Sequence, residues 1–248
     1  MPLYRDTSSA LLRELITREM SLRDGGLTDS EKVNRLREWV HANILVSTPS
    51  NLLDQDKSFD YYNRSAGEIF AAFFQDLGGV WCGGAAYALM EVYGLFGFKA
   101  SMIDYGKPGV MTHVVTLVKI KYGGLEETVI QDPTLNVTYA TRNGAPYDYL
   151  QLLTDLMQHQ HERVRILFGM DGTGGVLVAP GDERFPLDYL VESGVQPIRV
   201  LQNGARKYKS RLSLERFERQ FGERIRVFLR KEGHPGEMLY LLLYPLAG

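Results

Sequence analysis

Apolar residues recur at helical spacing through the first hundred positions and in short β-branched runs after them. Leu11, Leu12, Leu15 and Ile16 predict a helix over 8–20, which Asp24, Gly25 and Gly26 close. Thr28-Asp29-Ser30-Glu31 has the form of a capping box. The helix it opens carries Val33, Leu36, Trp39, Val40 and Ile44 on one face. A polar stretch over 47–64 reads as a loop. Ser65-Ala66-Gly67-Glu68 then repeats the capping-box form before Ile69, Phe70, Phe73, Phe74 and Leu77, and Gly78-Gly79 ends that helix. A fourth helix is expected from Gly83 to Phe96, closed by Gly97, so that Cys82 falls at a helix N-terminus. Beyond Ser101, Met102-Ile103, His113 to Lys121 and Thr128 to Gln131 read as strands. Tyr149 to Arg163 reads as a helix. Strands over 165–168, 175–178, 198–201, 225–230 and 238–244 follow, interrupted by a short helix over 214–221 with Ser213 as its cap.

Composition narrows the class. The chain has 248 residues, 44% hydrophobic, with 25 Gly, 10 Pro and one Cys, which excludes collagen-like, disulfide-stapled and largely disordered chains. This length suits one large domain, or one domain with an appendage. A single cysteine forms no internal disulfide, and Arg5, Arg13 and Arg18 interrupt the opening residues where a leader would be continuously apolar. The expected compartment is therefore the cytoplasm. No apolar run approaches the roughly 18 residues of a spanning helix, so no membrane partner is expected. A net charge of −2 gives no global field for nucleic acid. The charge is unevenly spread: residues 199–231 hold eleven Lys or Arg against three Glu, making that segment +8 and the remainder −10. It reads either as a solvated face that pairs with the acidic remainder or as a surface for an anionic partner.

Cys82 alters the functional picture. A lone cysteine is ordinarily a small buried hydrophobe, but on the first turn of a helix the dipole and the unpaired amides favour its thiolate, which is the nucleophilic form. Such a nucleophile needs a base and a group that orients the base. Of His41, His113, His159, His161 and His234, only His113 opens an apolar strand. That strand runs into Tyr122-Gly123-Gly124 and returns through Thr128 to Asp132. A turn on Tyr122 and Gly123 makes His113 and Asp132 direct cross-strand partners. One centred on Gly123 and Gly124 makes them diagonal neighbours on the same face, whereas a register between the two places them on opposite faces. Taken singly, His113 reads as a strand-edge histidine and Asp132 as an Asp-Pro turn starter. Their coincidence with Cys82 is what points to a relay. Gly169 to Gly175 lacks the residues of a phosphate loop, and His159 and His161 sit two apart, which on a helix points them away from each other.

The stretches Gly78-Gly-Val-Trp-Cys-Gly-Gly-Ala-Ala-Tyr-Ala-Leu, Leu95-Phe-Gly-Phe-Lys-Ala, Met111-Thr-His-Val-Val and Gln131-Asp-Pro-Thr-Leu-Asn resemble the core of the transglutaminase-like superfamily, relatives of papain-fold cysteine enzymes. The helix from Val33 to Ile44 resembles that family's opening helix, and the likeness covers about Thr28 to Tyr139. It implies an α+β fold in which a helix bearing the cysteine packs on an antiparallel sheet bearing the histidine and aspartate. It also implies Cys82 as nucleophile, His113 as general base, Asp132 as the residue orienting it, and acyl transfer or amide hydrolysis through a thioester. The alternatives within the class are a cysteine protease and a deamidase; that from another class is a non-catalytic scaffold of the same fold. The Cys82 amide is a natural oxyanion donor. Gln75 is a second candidate, although it stands seven residues before the cysteine where papain-like relatives have a glutamine six before, and Trp81 is a candidate for shielding the thioester or for packing. No metal or organic cofactor is expected. The substrate would be a peptide, amide or acyl thioester, with an anionic one suited to the basic segment. The expected division is a catalytic core over 1–148 and a C-terminal α+β extension over 149–248 packed on it, not clearly an independent domain.

Overall fold

The computed structural model describes residues 2–22, 25–44, 64–74, 80, 82–107, 111–158, 160–169 and 197–202. Helix α1 runs over Pro2–Glu19, earlier in the chain than the leucine spacing predicts. Helix α2 (Asp29–Asn43) opens on the capping box: Thr28 Oγ1 accepts the Glu31 N–H at 3.3 Å while Glu31 Oε2 accepts the Thr28 N–H at 2.7 Å. Two amides that the first turn leaves without helical acceptors are thereby satisfied. Helix α3 (Ala66–Phe74) repeats the device with Ser65 and Glu68. Helix α4 (Cys82–Leu95) is buried at nearly every position from Gly84 to Tyr93, as its continuous apolar sequence requires.

The sheet begins where the sequence changes period. Strands β1 (Ala100–Lys107), β2 (Met111–Tyr122), β3 (Leu125–Asp132), β4 (Val137–Thr141), β5 (Val164–Phe168) and β6 (Pro197–Gln202) form one antiparallel sheet in the order β5-β4-β3-β2-β1-β6. Among the described residues the fold is therefore α+β, with helices packed on an antiparallel sheet. Leu12, Ile16, Val33, Leu36, Trp39, Phe70 and the buried residues of α4 form one apolar core with Ala100, Met102, Val114, Val118, Ile120 and Val129 of the sheet. Burial along β3 is continuous from Thr128 to Asp132 where an exposed face would alternate. Helix α5 (Tyr149–Met157), which packs on β3 with Leu152, Leu153 and Leu156 buried, accounts for part of that cover.

Two further elements, α5 and β4, differ from the sequence pattern. The helix expected over 149–163 ends at Met157, followed by a 3₁₀ turn over His161–Arg163, because Val164 enters the ladder opposite Thr141. The sequence pattern gives no strand over 137–141, where β4 forms. The expected strands over 175–178, 225–230 and 238–244, the helix over 214–221 and the loop over 47–63 lie outside the described residues. The strand expected over 198–201 is β6, on the far side of β1 from β2. No helix among the described residues is long and apolar enough to cross a membrane.

Candidate active site

Three elements deliver the three residues. Cys82 is the first residue of α4 and is partly exposed. The segment before it passes close to the helix: a Cβ on Gly84 would lie 2.6 Å from Val80 Cβ, so only glycine lets Val80 rest on that first turn. His113 lies near the start of β2, and Asp132 ends β3. The connecting hairpin turns on Gly123 and Gly124, both at positive φ (57° and 84°), which are the angles of the tight turn that suits twisted strands. Tyr122 therefore faces Leu125, and the register continues to Thr116 opposite Gln131. Of the three registers weighed above, this is the diagonal one.

His113 Nε2 and Asp132 Oδ2 lie 2.7 Å apart, and both side chains are almost fully buried, at 4% and 1% exposure. The other carboxylate oxygen, Oδ1, accepts the backbone N–H groups of Thr134 at 2.8 Å and Leu135 at 3.1 Å. Both readings of Asp132 thus hold together: one oxygen starts the Asp-Pro turn and the other meets the imidazole. Cys82 also acts on the same imidazole, raising its pKa through its thiol as a hydrogen-bonding and charge partner. With Nε2 facing Asp132, a thiol that shares the imidazole would do so through Nδ1. Burial works to lower the His113 pKa, but the Asp132 charge, its hydrogen bond and the Cys82 contacts outweigh it and push the imidazole up to about 10. The Asp132 charge thus favours the protonated form of the imidazole.

The structure brings Cys82, His113 and Asp132 together. Gln75 and Trp81 lie outside the described residues, as do His159 and the basic segment from Arg206 onward. Two residues of α2 reach the Asp132 turn without having been singled out for it: Arg37, whose guanidinium meets Gln131 and Asn136, and His41, whose Nδ1 lies 2.7 Å from the Pro133 carbonyl. Arg37 flanks Leu36 within an apolar stripe, which is the signal that sequence reading could have used. A cleft of about 580 Å³, lined in part by Arg13, Lys32, Phe96, Phe98, Lys99 and Lys121, belongs to the opposite end of α4, about 20 Å away at 1.5 Å per helical residue. It is not the space in front of the thiol. No group of three or more His, Cys, Asp or Glu among the described residues could hold a metal ion. No protein family, curated protein or solved structure gives a significant match to this chain.

Proposed function

We propose that the protein is a cysteine-dependent acyl-transfer enzyme or amide hydrolase of transglutaminase-like, papain-like fold, working through a thioester on Cys82. The observation that carries this reading is one buried imidazole, met by a carboxylate at 2.7 Å and acted on by a thiol at a helix start. The Cys82 proton passes to His113 Nδ1, and the thiolate adds to the carbonyl carbon of an amide or ester. The C–N or C–O bond then breaks, the leaving group takes the proton from His113, and a thioester remains. An amine or water attacks it in turn, gives its proton to His113, and Sγ leaves.

The backbone N–H of Cys82 is among the four amides of α4 without a helical acceptor, so it serves as an oxyanion donor. Such a donor lowers the barrier by roughly 2.7–4 kcal/mol. Gln75 and Trp81, candidates from the sequence alone, would be the second donor and the shield of the thioester. The +8 segment supports an anionic acyl donor or acceptor. Reversing Arg206, Lys207 and Lys209 to Glu is expected to weaken substrate binding and flatten its salt dependence, and an unchanged affinity would contradict that assignment.

The direct test incubates the protein with amide and ester acyl donors, with and without a primary amine, and weighs protein and products. A mass increment on Cys82 that is discharged by amine or water, and is absent in Cys82→Ala, is expected. If donors across these classes leave no increment and no product, the reading fails.

A further inference from the structure

Arg37 is a guanidinium at 1% exposure, and burying such a charge costs several kcal/mol unless its donors are matched. Its matches are specific. Nε donates to Asn136 Oδ1 at 3.2 Å, and one terminal nitrogen donates to Gln131 Oε1 at 3.0 Å and to Asn34 Oδ1 at 3.5 Å. The other lies 3.6 Å from Glu38 Oε1. Gln131 and Asn136 are the residues on either side of the Asp132–Leu135 segment. The fork therefore grips the turn by both ends, across 94 and 99 residues of sequence.

Each end is itself fixed. The Gln131 amide donates to Asn34 Oδ1 at 3.0 Å and to Thr138 Oγ1 at 3.1 Å, and that hydroxyl donates to the Ile130 carbonyl at 2.6 Å. Asn136 closes the turn at φ 52°, a left-handed conformation in which asparagine is the best-tolerated side chain after glycine. Its carbonyl accepts the Gly169 N–H at 3.1 Å. Its side-chain Nδ2 would lie 2.1 Å from a Cβ on residue 169, so any larger residue there would push the Asn136 side chain aside. His41, one helical turn beyond Arg37, meets the Pro133 carbonyl at 2.7 Å.

The consequence concerns Asp132. Its Oδ1 is tied to the amides of the turn, so where the turn sits decides where Oδ2 points. Helix α2 therefore governs the His113 contact although it touches neither His113 nor Cys82 through any of these bonds. We propose that Arg37 is a positioning residue: its bonds to Gln131 and Asn136, seconded by His41 at Pro133, hold the Asp132 turn so that the carboxylate meets His113. This inference rests on the Cys82–His113–Asp132 relay proposed above.

The test is the pH profile of Cys82 alkylation in Arg37→Met, Asn136→Gly, Asp132→Asn and the Arg37→Met/Asp132→Asn double variant, each checked for folding by near-ultraviolet dichroism. Asn136→Gly keeps the left-handed φ while removing the acceptor, so it carries the test should Arg37→Met not fold. Loss of position frees His113 from Asp132. The acid limb of the profile should then move up by about one pH unit, slowing alkylation roughly tenfold near pH 6, and the upper pKa should fall from about 10. Mere removal of a nearby positive charge would raise that upper pKa instead, which overturns the proposal. In the Asp132→Asn background the Arg37 effect should vanish. A full-sized Arg37 effect there, or wild-type profiles in folded Arg37→Met or Asn136→Gly, also overturns it. If Asp132→Asn itself matches wild type, the relay reading fails and the positioning role falls with it; if Asp132→Asn is slow while the other two are normal, only the positioning role fails.

Discussion

Asp132 divides its carboxylate between a turn and a histidine, and the two halves are separable by mutation. Asparagine can keep an acceptor on the Thr134 and Leu135 amides but offers His113 an uncharged amide. Asp132→Asn should therefore stay folded, with a melting temperature close to wild type, and lose on the order of 10²–10⁴ in turnover, as orienting carboxylates of such relays do. Asp132→Ala should lose stability as well. His113 carries a pH signature of its own. Its folded pKa of about 10 lies above the ordinary 6.5, so its contribution to stability is complete below about 6.5 and is lost as pH rises from there through about 10. Urea titrations across that range should show the decline in wild type and its absence in His113→Gln. The grouping of Cys82, His113 and Asp132 was legible because type and position agreed: a thiol at a helix start, an imidazole at a strand start, and a carboxylate before a proline. The hold of Arg37 and His41 on the Asp132 turn was not, because the turn groups they meet lie 92 to 99 residues away and are neutral amides or a carbonyl, which leave no charge pattern in the sequence.

Local chemistry decided which elements could be read. The capping boxes of α2 and α3 and the Gly123-Gly124 turn are written in adjacent residues and formed as expected. Strand β4 escaped because it meets β3 at only two register positions, Gln131 with Thr138 and Asp132 with Val137, and depends for the rest on β5. The C-terminal limit of α5 was missed for a related reason, since the ladder with β4 outcompetes the last helical turn. Helix α4 offers the sharpest test at this scale. Gly84→Ala forces the new Cβ against Val80, so the first turn must shift and carry Cys82 with it. A loss of about 1–3 kcal/mol in denaturant stability should accompany slower alkylation of Cys82. Alkylation at the wild-type rate in a fully destabilised variant would show that Val80 supports the fold without placing the thiol.

At the scale of the molecule, one sheet joins segments far apart in sequence. Strands β2 and β3 carry the histidine and aspartate in its interior, β5 and β6 lie at its two edges, and α4 brings the cysteine to the imidazole. Helical periodicity followed by β-branched runs pointed to helices and strands in this order, and the family resemblance implied their packing, but the edge pairings, being long-range, were beyond periodicity. The central claim is that this arrangement assembles an activated thiolate. The most direct measurement is the rate of iodoacetamide alkylation, from about pH 5 to about pH 10, for wild type and His113→Ala, unambiguous in a chain with one cysteine. The account predicts fast alkylation well below the ordinary thiol pKa of about 8.5, and a slower reaction in the variant with its limb moved up toward that value. A slow wild-type reaction that titrates near 8.5 and ignores the loss of His113 would contradict it.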